Sequence, residues 1–372
     1  MRRYFAILLL LTPILWLQSG CGGSGGGTPQ APPPVPTFTT IDAPGAGPGG
    51  TFAEAINGNG EVTGFFFDAS HGAHGFVRDS AGMVTTIDAP GAIATQGLGT
   101  EATGINASGT IVGFFVDQTP AVHNFIRTSD GTFTVFDAPG SQISGAVSIN
   151  DGGVAAGGFL DANGAHGFVR ATDGTITTFD IPGFAAGQVR IVVPTQINAS
   201  GMVAGSYIDS SQVFHGFLRD TNGAITTLDA PGAGATGGTG TEASDINSSG
   251  VIAGVFRTGA SGGVVSTHSF LRAADGKYTV FDPPKAGPSG SLAAGINASG
   301  AVVGTYSDAS QVRHGYLRNS GGTFTTIDDP SAAQLPFSAV NIGTVPRHIN
   351  ASGAIVGIFS DAAGTRHGFL RE

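Results

Sequence analysis

Seven histidines recur in the pattern His-x-[Phe/Tyr]-x-Arg, at His74, His123, His166, His215, His268, His314 and His367. Two sets of aspartates recur with them. Asp68, Asp117, Asp161, Asp209, Asp308 and Asp361 end one apolar run, and Asp42, Asp88, Asp137, Asp180, Asp229, Asp282 and Asp328 end a threonine-rich one. Imidazole and carboxylate are the side chains of acid–base catalysis, and carboxylates with turn carbonyls suit Ca²⁺. A group repeated in every unit has a simpler reading as a structural element. On that reading each His bonds a neighbouring loop or Asp, and each Asp of D-x-P-G caps its own turn.

Function has to break the symmetry, so polar residues that do not recur are the sharper candidates. Near the repeated Ile-Asn pairs these are Glu54, Glu101, Gln196, Glu242, Asp245 and His348. Arg257 stands in place of an aspartate in the fifth unit, ahead of an insertion at residues 258–266. Long loops at Gln188–Pro194 and Ala332–Pro346 also depart from the pattern. Glu54, Gln196, Asp245, Arg257 and His348 are therefore the expected binding residues, with Glu54 and His348 adjacent if the last unit meets the first. A solvated polar rim is the plain alternative for each. No catalytic residue, metal ligand or cofactor is assigned, Ca²⁺ being the one metal the carboxylates would suit.

Local motifs add little. Gly259-Ala260-Ser261-Gly262-Gly263 matches G-x-S-x-G but lies between strand signals rather than on a strand-to-helix elbow. The glycine run Gly232–Gly240 lacks the Gly-Lys-Ser/Thr ending of a phosphate loop. Asn106, Asn198, Asn247, Asn297 and Asn350 open glycosylation sequons, and read better as turn residues.

The elements that hold these residues repeat as well. Ile-Asn occurs seven times, at Asn57, Asn106, Asn150, Asn198, Asn247, Asn297 and Asn350, with intervals of 44 to 53 residues. Each unit carries four strand signals: a run into Ile-Asn, a run with Gly two residues before an aromatic, the His segment, and a Thr/β-branched run. Turns such as Asp130-Gly131, Asp173-Gly174 and Asn222-Gly223 join the third and fourth. No stretch shows helical periodicity with caps. An all-β, seven-bladed propeller with four antiparallel strands per blade is predicted over residues 37–372. A threonine-rich strand precedes the first unit at Thr37–Asp42, while the chain ends on His367–Arg371 without a fourth strand. That complementarity predicts ring closure by the N-terminal strand and argues against an open solenoid. It also predicts one rim collecting the aspartates and histidines and the other collecting the repeat arginines.

Residues 1–21 read as a secretory signal: Arg2 and Arg3, an apolar core, then Ser19-Gly20-Cys21. Cys21, the single cysteine, follows Leu17-Gln18-Ser19-Gly20 as in a bacterial lipobox, so it is the expected lipidation site. Residues 22–36 form a Gly/Ser then Pro-rich tether. These features predict a lipid-anchored protein of the bacterial envelope or cell surface, meeting the membrane only through its lipid. A net charge of -10 with few lysines (Lys277 and Lys285) argues against nucleic acid as a partner.

The motif order INxxGxVxG, D, HGFxR, G-x-[FIV]-T-x-[IFL]-D-x-PGA resembles the bacterial extracellular repeat proteins of the HAF type across residues 37–372. Here His123-Asn124-Phe125 and His268-Ser269-Phe270 vary the signature, and Arg stands where that family often has Trp. The resemblance implies secretion and a repeat β fold, and brings no reaction or substrate. The expected function is a monomeric binding or scaffold module for a protein or glycan. A propeller lyase or hydrolase with a metal-assisted site at the channel mouth is the alternative.

Overall fold

The computed structural model describes residues 36–184, 191–259, 265–336, 338 and 342–372. The signal sequence, Cys21 and nearly all of the tether lie outside these residues, as do parts of the three irregular loops. The described residues form strands and connections, with no helix among them.

β1 (Phe38–Ile41) comes first. The first unit is β2 (Thr51–Ile56), β3 (Val62–Phe67), β4 (Ala73–Arg78) and β5 (Val84–Ile87). The second is β6 (Thr100–Ile105), β7 (Ile111–Val116), β8 (Val122–Arg127) and β9 (Phe133–Phe136). The third is β10 (Ile143–Ile149), β11 (Ala155–Leu160), β12 (Ala165–Arg170) and β13 (Ile176–Phe179). β14 (Ile191–Ile197), β15 (Val203–Ile208), β16 (Phe214–Arg219) and β17 (Ile225–Leu228) make the fourth. β18 (Gly240–Ile246), β19 (Ile252–Arg257), β20 (Thr267–Arg272) and β21 (Tyr278–Phe281) make the fifth. The sixth is β22 (Ser291–Ile296), β23 (Val302–Ser307), β24 (Arg313–Arg318) and β25 (Phe324–Ile327). Last come β26 (Thr344–Ile349), β27 (Ile355–Ser360) and β28 (Arg366–Arg371).

Each unit is an antiparallel meander, and the last is completed by β1, which pairs with β28 in the register Phe38↔Arg371 to Ile41↔Gly368. The fourth and fifth units are joined at one further point, a parallel pairing of Phe214 with Gly240. The turns between third and fourth strands need a left-handed residue. Glycine supplies it, with φ of 94° at Gly131 and 91° at Gly223.

The core is built by repetition. Phe76, Phe125, Phe168, Phe217, Phe270, Tyr316 and Phe369 from the third strands have no solvent exposure. Each lies across a glycine of the strand beside it; a Cβ on Gly113 would stand 2.8 Å from the Phe125 ring. The space over Gly64 is filled by the Phe76 ring of the same sheet, because the third strand pairs Gly64 with Phe76 directly. Apolar clusters then bridge neighbouring units: Ala55 and Ile87 of the first pack with Ile105, Phe115 and Phe125 of the second. Another joins Val356 and Leu370 of the last unit to Ala53, Val62 and Phe76 of the first. Each fully buried side chain contributes roughly 1.5–3 kcal/mol relative to exposure.

The Ile-Asn pair explains itself at this level. Each Asn carbonyl oxygen accepts backbone N–H groups of its own turn, as Asn198 Oδ1 does from Ser200 (3.1 Å) and Met202 (3.0 Å). Its amide donates to the backbone carbonyl of the Asn in the next unit. The bonds run Asn57 to Asn106, Asn150, Asn198, Asn247, Asn297 and Asn350, and from Asn350 back to Asn57, at 2.9–3.2 Å. All seven are buried, so the sequon asparagines are turn residues and inter-unit ties.

Candidate functional site

Strands β2, β6, β10, β14, β18, β22 and β26, the first of each unit, line a cavity of about 970 Å³. Each carries a β-bulge just before its Ile-Asn pair: between Ala53 and Ala55, between Ala243 and Asp245, between Pro346 and His348, and at the matching place in the other four. A bulge re-aims the side chains on either side of it. It sorts the polar candidates into two rows. Glu54, Thr103, Val147, Thr195, Ser244, Ala294 and Arg347 are the bulged residues; Ala55, Gly104, Ser148, Gln196, Asp245, Gly295 and His348 follow them.

The following row ties units together. Asp245 Oδ2 accepts the Ile296 N–H of the next unit at 2.7 Å, and its Oδ1 accepts that of Ile246 at 2.7 Å. Ser148 Oγ accepts the Ile197 N–H at 2.9 Å and is itself bonded to Gln196 Oε1. The Ile56 N–H points at His348 Nδ1, 3.5 Å away. Burial raises the Asp245 carboxyl above the ordinary range, against the His348 charge, the two N–H donors and the Gln196 amide. With both oxygens engaged, Asp245 is a buried tie rather than an acid offered to a substrate.

The bulged row faces the cavity, and its charged members meet across the first and last units: Arg347 Nε lies 3.9 Å from Glu54 Oε2. Glu54 and His348 both line the cavity. The bulge puts them in different rows, so Glu54 meets Arg347 and His348 acts on Asp245. Sequence reasoning placed the region and missed the row.

Arg257 is also on the cavity wall, paired with Glu242 and stacked over the Phe214 ring at 5.0 Å. Its reading as a replaced aspartate is corrected. Arg257 is the last residue of β19, paired with Thr267 as Phe67 pairs with Ala73. Thr258 occupies the place of Asp68, its N–H bonded to Ser266 as that of Asp68 is to Gly72.

Three cavity arginines escaped the sequence reading. Arg347 is on the bulged row, and Arg313 and Arg366 open β24 and β28, where the other units have Ala73, Val122, Ala165, Phe214 and Thr267. Burial, with the Arg347 charge adding to it, pulls Arg313 down to about 10. The Arg366 guanidinium lies 5.6 Å from the Phe52 ring centre. Comparing units at the residue before each repeat His would have exposed Arg313 and Arg366.

The repeated histidines form a separate, regular rim. Each Nδ1 bonds the fourth-strand aspartate of its unit: His74 to Asp88 (2.8 Å), His123 to Asp137 (2.8 Å), His215 to Asp229 (2.8 Å), His268 to Asp282 (2.7 Å), His314 to Asp328 (2.9 Å), and His166 to Asp180. His367 bonds Asp42 beside β1 at 2.7 Å. In six units the other ring nitrogen faces the second-strand aspartate, from 2.9 Å for Asp161 to 3.7 Å for Asp209. The expectation that D-x-P-G aspartates cap their own turns is thus corrected. The second-strand aspartates do that work, as Asp68 Oδ1 does for the N–H groups of Ser70 (2.8 Å) and Gly72 (2.7 Å). In those six units the two carboxylates flank the ring from opposite sides, and among the described residues no group of three His, Cys, Asp or Glu is set to hold a metal.

The repeat arginines sit at the ends of the third strands, as the sequence predicts, without forming an open basic rim. Arg170, Arg219 and Arg318 lie over Phe136, Phe179 and Phe281 of the preceding unit, 4.8, 5.4 and 4.8 Å from the ring centres.

No protein-family model matches the chain, and no curated protein does. Solved structures do. The propeller domain of the Trilobed protease from Pyrococcus furiosus, described as having an open velcro topology, superposes with a TM-score of 0.55 at 10% identity, covering 87% of this chain and 93% of that one. TolB from Acinetobacter baumannii gives 0.48 at 12% identity over 71% of this chain, which spans 62% of TolB. The six-bladed lectin of Aleuria aurantia gives 0.41 at 12%, covering 82% of this chain and 96% of that one. At such identities the likeness concerns fold alone. The chain is an all-β protein of the β-propeller kind.

Proposed function

We propose that this is a lipid-anchored, extracytoplasmic seven-bladed propeller, acting as a monomer that binds a protein or glycan partner at its central cavity. Pairing of β1 with β28 and the circle of asparagine bonds returning from Asn350 to Asn57 support a closed ring of seven blades. The lipobox-like run before Cys21, the tether after it and the resemblance to HAF-type proteins support attachment outside the cytoplasm.

The observation that carries the binding reading is where the repeat fails. Glu54, Gln196, Glu242, Asp245, Arg257, Arg313, Arg347, His348 and Arg366 all lack counterparts in most units, and all line one cavity. Gln196, Asp245 and His348 serve the ties between units, but the repeats have no use for the two glutamates and four arginines, whereas a site for one partner does. The test is capture from envelope extract and from a glycan array, comparing the full chain with a Val147→Trp variant that fills the cavity. Loss of capture with an unchanged melting temperature is expected. Full retention by a folded variant would contradict cavity binding.

A further inference from the structure

Leaving aside Arg2 and Arg3 of the leader and the seven repeat arginines, the chain has five arginines: Arg190, Arg257, Arg313, Arg347 and Arg366. Arg190 lies outside the described residues, and the other four line the cavity. They come from three consecutive units: Arg257 from the fifth, Arg313 from the sixth, Arg347 and Arg366 from the seventh. Across the cavity, the second to fourth units present neutral side chains such as Thr103, Val147 and Thr195. One sector of the cavity therefore carries the arginines, with Glu54, Glu242 and Asp245 among them, and the other is neutral.

Nothing in the fold requires this. The place of Arg347 is filled by Thr, Val, Ser or Ala in five other units, and the place of Arg257 by Phe67, Val116, Leu160, Ile208, Ser307 and Ser360. Arg257 and Arg347 each have a glutamate beside them, Glu242 and Glu54, so this part of the wall sets cations and carboxylates side by side. Burial, with the neighbouring Arg347 charge adding to it, depresses the Arg313 pKa.

The wall offers more than charge. Arg257 stacks on Phe214 and Arg366 lies over Phe52, so two guanidinium planes are held beside aromatic surface. Glu54 and Glu242, next to Arg347 and Arg257, are acceptors for hydroxyl groups. Carboxylates in the same wall disfavour a compact multiply charged anion and suit a ligand whose carboxylates are spread among many hydroxyls. A volume of about 970 Å³ is ample for a few sugar rings.

We propose that the arginine sector of the cavity, formed by Arg257, Arg313, Arg347 and Arg366, recognises a carboxylate-bearing saccharide of the uronic-acid class. This rests on the glycan branch of the function proposed above and names its chemistry.

Calorimetric titration of the full chain in detergent with a galacturonic acid trimer tests it, with a neutral galactose trimer and inorganic phosphate as comparison probes. The acidic trimer is expected to bind at one per chain and to weaken with salt. Affinity should fall about tenfold in each of Arg347→Gln and Arg366→Gln, the loss of one charge-assisted contact, with melting unchanged. Equal affinity for the neutral trimer would overturn the acidic assignment while leaving a glycan site. Equal competition by phosphate would overturn the saccharide assignment. If no acidic trimer binds, the inference falls; the function proposed above then survives only if Val147→Trp still abolishes capture from envelope extract.

Discussion

The histidine rim and the arginine sector of the cavity both place charged groups at strand ends, and they do so under different rules. In the rim each His meets the aspartates of its own sheet and lies beside an aromatic, as His215 does on Tyr207 at 4.9 Å, and the arrangement recurs in unit after unit. In the cavity the charges follow no repeat. Arg347 reaches Glu54 of another unit, and three arginines occupy places where other units carry apolar or small residues. Where residues recur, chemistry-bearing side chains hold strands together. Where they do not, Asp245 and His348 still serve ties between units, but the glutamates and arginines face a common space.

The largest expected effect that would break this division concerns the repeat. Phe217→Ala removes a fully buried ring and should destabilise by about 3–5 kcal/mol in urea unfolding, leaving ligand affinity of the folded fraction unchanged. Asn198→Ala removes the tie to Asn247 and the acceptor for two turn N–H groups, for about 2 kcal/mol by the same assay. A negligible change in either would mean that the repeat does not carry stability.

A smaller, diagnostic effect is pH dependence from the rim. Burial pulls the imidazoles of His123, His166 and His314 down, but hydrogen bonds and charges of their paired aspartates outweigh it and leave them raised above 6.5. That contribution is complete below the unfolded value of 6.5 and disappears as pH rises through the folded values. Hydrogen bonds from Thr119 hold Asp117 below 3.8, and those from Asn163, aided by His166, hold Asp161 there. Their contribution is present above 3.8 and vanishes as pH falls through the folded values. Calorimetric melting should therefore be higher at pH 5.5 than at pH 8.5; the reverse order would show that the rim carries no such linkage. The smallest stability change sharpens the other side: Arg347→Gln should shift unfolding by less than about 0.5 kcal/mol.

Much of this was legible. Period, strand order and the complementary chain ends predicted the meanders and the β1–β28 pairing, because alternation and turn chemistry are local properties. The asparagine circle was not legible, since one amide reaching the next unit's carbonyl depends on how units stack. The bulges were equally silent: Glu54 and His348 look like neighbours by position, and one inserted residue separates their rows. Arg257 slipped by one place because the strand end was read from its missing aspartate instead of from the spacing Gly254–Phe256. Arg313 and Arg366 were overlooked beside a conspicuous histidine, although the rule that exposed Glu54 applies to them too.

The most direct test is a crystal structure of the protein soaked with the galacturonic acid trimer. One molecule in the central cavity, with its carboxylates against Arg347 or Arg366, is the predicted result. Copies spread over equivalent positions around the histidine rim, with the cavity empty, would show that recognition comes from the repeats and would contradict the account.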